Sequence, residues 1–564
     1  MKIVTFLLLA IIVMPCDDTI AQLQQWNAKF NGSANGADAI TAMTTDAVGN
    51  VYVTGYAANT SSGVDYVTMK YNTAGVRQWI ATYNGPGNGN DIANAICIDN
   101  LGNVYVTGRS DALTGAFIDD DAATIKYSAT GQQKWVARYD GGVQRADVGR
   151  AIIADNAGNV YITGYTSERS GAKSDFNYLT VKYNASGVQQ WAGIYNGPAV
   201  QPNDRNDSAN AIGLDAAGNV YVTGMSNGNR PAKLNQDYLT VKYSAAGKEL
   251  WTDRYNGPGN AIDEALALVT NALGDVYVTG VSTGAGLNDY DFTTIKYNTN
   301  GIRQWVKVFN DPINGPDIAF AIATDKQGNV YVTGDAEGKP NNPDIYTIKY
   351  NAAGNQQWII SYDGGDVDHA AAIALDKNNN IYVTGYSTST QTAADMVVIK
   401  YNNSGVQQWL QTFKGSTKFA WDASNAVAVD TSNNVYIAGY TTNAGGNTDY
   451  TVIKYTGGST GTSNKVAAPA YDENAFLLYP NSPNPFRNQT NISFKIQSQN
   501  HDISDVKLWI EDASGKLLNV LIDKKVTNGT YQVQWNPQHV TPGVYYYKLR
   551  CNQQLKSGTM IMGK

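Results

Sequence analysis

The chain is poor in histidine and cysteine. It has three of each in 564 residues, and two of the histidines, His501 and His539, lie near the C-terminus. The large central part of the sequence holds only His369, so a histidine-based triad or a multi-histidine metal site cannot be built there. Cys97 and Cys551 are far apart in the sequence, which favours packing residues over a disulfide framework.

Charged residues are also scarce, at 16% of the chain, and the formal net charge is -7. An acidic chain is not attracted to a phosphate backbone, so we expect no nucleic-acid partner. The sequence has no glycine-rich phosphate loop of the G-x-x-x-x-G-K-[ST] type. Glycine and tyrosine are abundant instead, with 55 and 37 residues, which is typical of a β-rich chain.

The N-terminus has the composition of a secretory signal. Lys2 precedes an apolar run from Val4 to Met14, and Ala21 ends a small-residue cleavage sequence, so we predict a signal peptide over residues 1–21. The run is too short to cross a bilayer, and we expect no transmembrane segment in the mature chain. A lipoprotein anchor at Cys16 is the alternative, but a proline precedes it where that processing needs a small residue.

One unit recurs eight times with a period of 51 to 60 residues, long enough for a four-stranded propeller blade. The phrase NVYVTG, or a close relative, starts at Asn50, Asn103, Asn159, Asn219, Asp275, Asn329, Asn380 and Asn434. A later strand carries a tryptophan, which we expect to be buried in the framework: Trp26, Trp79, Trp135, Trp191, Trp251, Trp305, Trp358 and Trp409.

The order of the strands predicts how the repeat closes. The sequence starts the array with a fourth strand, which holds Trp26, and ends it with a third strand at Tyr455. Pairing these two strands completes the last blade and removes its open edge. We therefore predict an all-β fold with a closed eight-bladed β-propeller over residues 22–456; an open solenoid is the alternative.

The turn between the first two strands of each unit reads D-x-x-G-N, as in Asp46 to Asn50. An aspartate can cap such a turn, and its fourth residue should have positive φ, which suits glycine or asparagine. Where the glycine is missing, Asn379 and Asn433 take its place. We interpret these residues as structural.

The phrases DAVGNVYVTGY, DNLGNVYVTGR and DAAGNVYVTGM resemble the bacterial SBBP repeat family, whose name stands for seven-bladed β-propeller. The resemblance implies a propeller, although eight units are counted here. After a small and polar linker at 457–472, residues 473–564 return to alternating β-type sequence, which predicts a small Ig-like β-sandwich.

The segments LLYPNSPNPFRNQTNISFKI, DASGKLL and TPGVYYYKLRCNQQLKSGTMIMGK resemble the type A C-terminal sorting domain of the type IX secretion system. The resemblance implies export to the cell surface or the extracellular space, with the type IX machinery as a partner. Gly543, Tyr545 and Lys564 match the sorting motif; for Gly543, which follows a proline, a simple turn is the alternative.

Loop lengths predict a binding face. The D-x-x-G-N turns and the hairpin turns after the third strand are constant, whereas the loops on the opposite side of each blade vary in length. On that variable-loop face, Trp421 departs from the repeat and is a candidate for stacking on a sugar ring, with burial in a loop cluster as the alternative. Arg109, Arg150 and His369 are the other ligand-binding candidates.

An aspartate opens the first strand of every unit and is a candidate oxygen ligand for calcium around the channel mouth, with loop capping as the alternative. The stretches FIDDDAAT and GGDVDHAAA suggest calcium too, without the spacing of an EF-hand. These candidate calcium ligands are Asp38, Asp91, Asp147, Asp207, Asp263, Asp317, Asp368 and Asp422.

We therefore expect an exported, monomeric binding module for a glycan or a protein, with calcium as the one cofactor considered. No catalytic residues are assigned. The alternatives are a secreted polysaccharide-degrading enzyme that uses carboxylates at the channel mouth, and a structural surface spacer.

Overall fold

The computed structural model describes residues 24–61, 63–112, 119–142, 146–170, 173–197, 206–228, 236–271, 273–284, 290–311, 313–389, 392–415, 420–456, 476–478, 481, 486–496, 503–512, 516–527, 529–537, 540–551 and 554–563. The predicted signal peptide, the predicted linker, Cys16, His501, His539 and Lys564 lie outside the described residues. Contacts divide the chain into two compact units, Met1–Asn464 and Lys465–Lys564. Among the described residues, no helix is long and apolar enough to span a membrane.

The described residues of the first unit form 32 strands. The first seventeen are β1 (Gln24–Phe30), β2 (Ala39–Thr45), β3 (Val51–Asn59), β4 (Gly63–Tyr71), β5 (Arg77–Tyr83), β6 (Asp91–Ile98), β7 (Val104–Asp111), β8 (Asp120–Tyr127), β9 (Gln133–Tyr139), β10 (Asp147–Ala154), β11 (Val160–Ser170), β12 (Lys173–Tyr183), β13 (Gln189–Tyr195), β14 (Ser208–Leu214), β15 (Val220–Asn227), β16 (Gln236–Tyr243) and β17 (Glu249–Tyr255). The remainder are β18 (Asp263–Thr270), β19 (Val276–Thr283), β20 (Tyr290–Tyr297), β21 (Arg303–Phe309), β22 (Ile318–Thr324), β23 (Val330–Lys339), β24 (Asn342–Tyr350), β25 (Gln356–Tyr362), β26 (Asp368–Leu375), β27 (Ile381–Ser389), β28 (Thr392–Tyr401), β29 (Gln407–Phe413), β30 (Ala423–Val429), β31 (Val435–Thr442) and β32 (Thr448–Tyr455).

These strands form eight antiparallel four-stranded sheets, which are the blades of a propeller. Blades 1 to 7 take four consecutive strands each, from β2–β5 to β26–β29, so each is a simple meander. Blade 8 has the order β1-β32-β31-β30, and β1 pairs antiparallel with β32 along Trp26↔Lys454 to Phe30↔Tyr450. The predicted pairing of the chain's first strand with the last blade is confirmed.

Blade 8 also packs against blade 1. The Asn425 amide donates to the carbonyl oxygen of Ile40 at 2.7 Å, and the Lys454 ammonium group donates to that of Thr73 at 3.0 Å. First strands of neighbouring blades contact one another around the ring, so they are the innermost strands. The count of eight units in the sequence therefore equals the count of blades.

Every blade has a β-bulge at the same place in its first strand, because the register with the second strand shifts by one residue there. The glycine of the VTG phrase lies opposite this bulge. At Gly55, for example, a Cβ atom would lie 2.0 Å from the carbonyl oxygen of Ala39, so no larger residue fits. This close approach explains why each copy of the phrase ends in glycine. The bulge itself was not predicted.

The D-x-x-G-N turns have the predicted conformation. Asp46 accepts hydrogen bonds from the backbone of Val48 and Asn50 at 3.2 and 2.8 Å. The glycine position has positive φ in the regular copies, and Asn379 and Asn433 have φ of 59° and 63° in its place. The prediction that asparagine substitutes for a left-handed glycine is confirmed.

The framework tryptophans lie at the seams between blades. Seven of them are half-buried rather than fully buried, and only Trp409 matches the expectation of a buried ring. Each of the seven covers the hairpin glycine of the next blade, as Trp79 covers Gly131. Their indole N–H groups donate at 3.1–3.2 Å to turn carbonyls of that blade: Thr73, Ala129, Ala185, Ala245, Thr299, Ala352 and Asn403.

The second unit is a small β-sandwich of two sheets with the orders β33-β34-β37 and β36-β35-β38-β39. Its core includes Phe494, Leu508, Trp535 and Cys551. The strands are β33 (Phe476–Leu478), β34 (Thr490–Ile496), β35 (Ile503–Asp512), β36 (Leu517–Thr527), β37 (Gly529–Trp535), β38 (Gly543–Cys551) and β39 (Gln554–Met562).

Candidate binding face

The two faces of the propeller differ as the loop lengths predict. In an up-and-down blade, the D-x-x-G-N turns and the hairpins after the third strand emerge on one face, which we call the turn face. The loops that leave the second and fourth strands emerge on the other, the variable-loop face. On the turn face, a depression of about 520 Å³ between blades 3 and 4 is lined by framework residues such as Tyr161, Lys182 and Asp215.

The eight aspartates that open the first strands are at most 1% exposed, and there is one per blade. Each uses one carboxylate oxygen to accept a hydrogen bond from a backbone N–H of the loop before it, at 2.5–2.8 Å. Asp38, Asp207, Asp263 and Asp422 also accept from a backbone N–H at the end of the second strand, at 2.8–3.0 Å. The structure thus places these carboxylates in separate loop caps and does not bring them together.

Burial raises the pKa of these carboxyl groups. It raises the pKa of Asp147 to about 6, of Asp368 to about 7 and of Asp317 to about 8. In Asp207 and Asp263, burial acts in the same direction, while serine hydroxyl donors at 2.5 and 2.6 Å stabilise the ionised form. Donors to the ionised form oppose the effect of burial on the pKa, and nearby negative charges, such as Asp311 beside Asp317, add to it.

Two of the predicted ligand residues, His369 and Trp421, belong to a continuous row of aromatic rings across blades 6 to 8. His369 in β26 stacks on Tyr386 in β27 with ring centroids 5.0 Å apart, and Tyr386 lies 5.3 Å from Trp421. On its other side, His369 contacts Phe320 edge-on at 4.8 Å. We call Phe320, His369, Tyr386 and Trp421 the aromatic row.

Hydrogen bonds position residues of the aromatic row, and the row is partly exposed to solvent. Trp421 is 46% exposed, so the alternative of burial in a loop cluster does not describe it. Its backbone N–H donates to the Thr442 hydroxyl at 3.2 Å, and that hydroxyl donates to the Trp421 carbonyl at 2.8 Å. His369 is fixed by Asp335, whose Oδ2 lies 2.6 Å from Nδ1 of the ring. Burial raises the pKa of Asp335, and the contact with His369 opposes that shift.

The other two predicted ligand residues lie together on blades 2 and 3. Arg109 is paired with Asp120 at 3.2 Å, and Arg150 lies over the ring of Tyr165 at 5.2 Å. The Arg150 guanidinium also donates to the Asn210 side chain of blade 4. This group lies on blades 2 to 4 and the aromatic row on blades 6 to 8, so the four candidates form two separate clusters.

Carboxylates converge at two places that suit a cation. The oxygens of Asp121, Asp140 and Asp147 lie within 4.8 Å of one another, and so do those of a second trio: Asp344, Asp363 and Asp368. Carboxylate oxygens are the ligands that calcium prefers. Only Asp147 and Asp368 belong to the set of eight predicted from the sequence.

Sequence reasoning missed Phe320, Tyr386, Asp335, Asp344 and Asp363. A signal existed for Tyr386 and Asp335, because both occupy the position after the VTG glycine, where the side chain differs from copy to copy. Asp363 stands where most copies have asparagine, as in the phrase YNG. Comparing the eight copies position by position would have found these departures.

The sorting-motif residues lie at the start of β38. Gly543 is the first residue of the strand and lacks a positive φ, while Tyr545 is 5% exposed and packs on Trp535 at 5.7 Å between centroids. The Tyr545 hydroxyl donates to the carbonyl of Thr541. Tyr545 is therefore a core residue of the sandwich.

Comparison with protein families agrees with this architecture. A model described as "Beta-propeller repeat", of the SBBP family, matches residues 78–113, 137–169, 203–230 and 363–390. A model described as "Secretion system C-terminal sorting domain" matches residues 479–562. The chain carries SBBP β-propeller repeats and a type IX secretion sorting domain. This export route delivers the protein to the cell surface or the extracellular space, as predicted.

Two curated proteins are similar to parts of this chain. An uncharacterized WD repeat-containing protein, L264, of Acanthamoeba polyphaga mimivirus is 22% identical over 370 residues, which covers 56% of this chain and 25% of that protein. The regulatory protein FlaEY of Caulobacter vibrioides is 25% identical over 215 residues, covering 30% and 22%. The chain spans about a quarter of the length of these relatives.

Two solved structures are similar in fold class. A polysaccharide lyase of family PL25, an ulvan lyase, has a TM-score of 0.36 and 12% identity, covering 70% of this chain and 95% of that one. A Synechocystis apocarotenoid oxygenase has a TM-score of 0.33 and 9% identity, covering 61% and 85%. Because both TM-scores are below 0.5, neither likeness bears on what this protein binds.

Proposed function

We propose that this exported propeller is a non-catalytic glycan-binding module and that its ligand lies on the aromatic row. The observation that carries the proposal is the 46% exposure of Trp421, a large ring on the variable-loop face that contacts Tyr386 at 5.3 Å between centroids. An exposed ring that packs against a neighbouring ring suits stacking on the apolar face of a sugar, because part of its side-chain freedom is already lost before binding.

The neighbours of Trp421 supply the polar contacts that a sugar needs. Tyr386 and His369 continue the row with partly exposed rings, and each carries a group able to hydrogen-bond a hydroxyl. Asp335 fixes the orientation of His369, so the polar atoms of the row have set directions. A surface with ring faces and directed polar atoms is typical of small-ligand sites in proteins.

Export supports the proposal, because a protein at the cell surface or outside the cell meets polysaccharides there. Arg109 and Arg150 lie on the same face and are the charged contacts we propose for an acidic ligand that extends across the ring. The predicted protein partner is the alternative occupant, and the monomeric state stays a prediction.

A glycan-array screen of the exported chain tests the proposal. We expect reproducible binding that falls at least about tenfold in Trp421→Ala, since stacking on an aromatic ring contributes on the order of 1–3 kcal/mol. The matched control is Leu101→Ala, which removes an 82% exposed apolar side chain from the turn face and should leave binding unchanged.

Other outcomes assign other functions. Binding that survives Trp421→Ala would place the ligand elsewhere. No binding to any glycan on the array would favour a protein partner or the role of a structural surface spacer. Release of reducing ends from a polysaccharide would identify an enzyme in place of a binding module.

A further inference from the structure

Three carboxylates meet at the seam between blades 6 and 7, on the variable-loop face. Asp344 lies in β24, Asp363 directly follows β25, and Asp368 begins β26. Each offers one oxygen within 4.8 Å of the other two. Asp344 and Asp368 are buried while Asp363 is exposed, so the cluster is closed on the protein side and open to solvent on the other.

One oxygen of the Asp344 carboxylate has no hydrogen-bond donor, and the positive charge of Lys339 acts on this carboxylate only through space. Asp344 is only 5% exposed, and its Oδ1 accepts no hydrogen bond. Among the described residues, no lysine, arginine or histidine nitrogen lies within ion-pair distance of it. Burying a carboxylate without donors or a counter-charge is costly, and natural proteins rarely leave one in that state.

Two other seams of the same propeller show how such a carboxylate can be paired. In blade 2, Arg138 Nε lies 2.7 Å from Asp121, and in blade 4, Arg254 lies 3.1 Å from Asp237. Both arginines occupy the sixth position of the fourth strand. In blade 6, that position is Ser361, which pairs with Tyr346 as Arg138 pairs with Ala123. The cation that blades 2 and 4 carry in the chain is missing from blade 6.

Lys339 does not replace it. Its ammonium group lies 2.7 Å from Asp363 Oδ2, but the side chain is 60% exposed and reaches the cluster from solvent. An exposed pair of this kind contributes little and exchanges readily with other ions. Among the described residues, neither Asp344 nor Asp368 has a lysine, arginine or histidine nitrogen within ion-pair distance.

We propose that a divalent cation with the ligand preference of calcium binds between Asp344, Asp363 and Asp368, in the place that arginine fills in blades 2 and 4. The donor set is purely carboxylate oxygen, which suits calcium and excludes the softer metals that prefer nitrogen or sulfur. The ion neutralises the cluster and ties the third strand of blade 6 to the first strand of blade 7.

Calorimetric titration of the chelator-treated full exported chain with calcium chloride, together with thermal melting, tests this site. We expect saturable binding and a melting temperature that rises with calcium concentration. Asp344→Asn should weaken the affinity about tenfold or more. The control is Asp366→Asn, which lies in the same loop but outside the cluster and should leave the titration unchanged.

Ser361→Arg is the decisive second variant, since it supplies the guanidinium that blades 2 and 4 already use. We expect it to lose the calcium response while melting, without calcium, at least as high as the calcium-loaded parent. The proposal is overturned if calcium produces neither a heat of binding nor a shift in melting temperature in the parent chain. So does calcium binding that persists at full strength in both Asp344→Asn and Ser361→Arg, because the ion then lies elsewhere.

Discussion

Asp46 and Asp317 are two propeller carboxylates whose surroundings move their pKa values in opposite directions. Burial opposes the ionisation of Asp46, but hydrogen bonds from Asn50, Tyr52 and Val48 outweigh it and lower its pKa. Asp317 is fully buried with few donors and lies close to Asp311, and burial raises its pKa to about 8. The same residue type is therefore a stable anion in a turn and a protonated acid at a blade seam.

The pKa of Asp317 predicts a pH-dependent loss of stability. Between the ordinary value of 3.8 and about 8, the unfolded chain has released this proton while the folded chain still holds it. Rising pH therefore favours unfolding across that window, by at most about 1.4 kcal/mol per pH unit, and the effect ends above pH 8. In Asp317→Asn, we expect a shallower fall in the free energy of unfolding between pH 4 and pH 8, measured by urea titration. An unchanged slope would show that Asp317 ionises freely in the folded chain.

At the scale of the blade, the seam between neighbouring sheets depends on a tryptophan lying flat on a glycine. Gly131 has φ of 82°, and a Cβ atom there would lie 2.6 Å from Trp79. Gly102 has a similar φ of 75°, but its nearest neighbour would be the Ala129 Cβ at 3.4 Å. The two glycines thus share a conformation and differ in what covers them.

Alanine substitutions at these two glycines separate the cost of backbone strain from the cost of disturbed packing at the seam. Alanine in the left-handed region costs about 1–2 kcal/mol at either position, whereas only Gly131→Ala also displaces a ring. We expect Gly131→Ala to lower the free energy of unfolding by about 1–3 kcal/mol more than Gly102→Ala does. The excess should shrink in the Trp79→Ala background, where the ring is absent. Equal costs for the two alanine variants would mean that the tryptophan moves aside freely.

The repeated parts of each blade could be predicted from the sequence, because each is a local signal repeated eight times. The turn at Asn379 is an example, since a left-handed residue has few substitutes for glycine. The bulge was not predicted, although the glycine that ends each copy of the VTG phrase lies opposite it and is a sequence signal for a bulge. The aromatic row was half predicted: Trp421 departs from the repeat, but its contact with Tyr386 joins two blades. The cluster at Asp344 also joins two blades, and only the fold brings its members together.

At the scale of the whole molecule, closure of the propeller rests on β1. This strand supplies the fourth strand of blade 8, and Trp26 packs on Tyr71 of blade 1 with ring centroids 6.4 Å apart. Without β1, the edge of β32 is open and the seam between blades 8 and 1 loses its tryptophan. The other seven blades keep all four strands, so the damage should be confined at first to one place in the ring.

Deletion of residues 22–32 should therefore lower the melting temperature, by about 10 °C or more, because the ring can then open at the exposed edge of β32. A synthetic peptide of residues 24–32 added in trans should restore part of the loss, since it can pair with that edge as β1 does. The matched control is the same peptide with Ala28→Pro, which removes a backbone donor in the middle of the pairing with Val452. An unchanged melting temperature after the deletion would show that closure contributes nothing to the stability of the ring. Equal rescue by both peptides would show that the rescue does not come from pairing with β32.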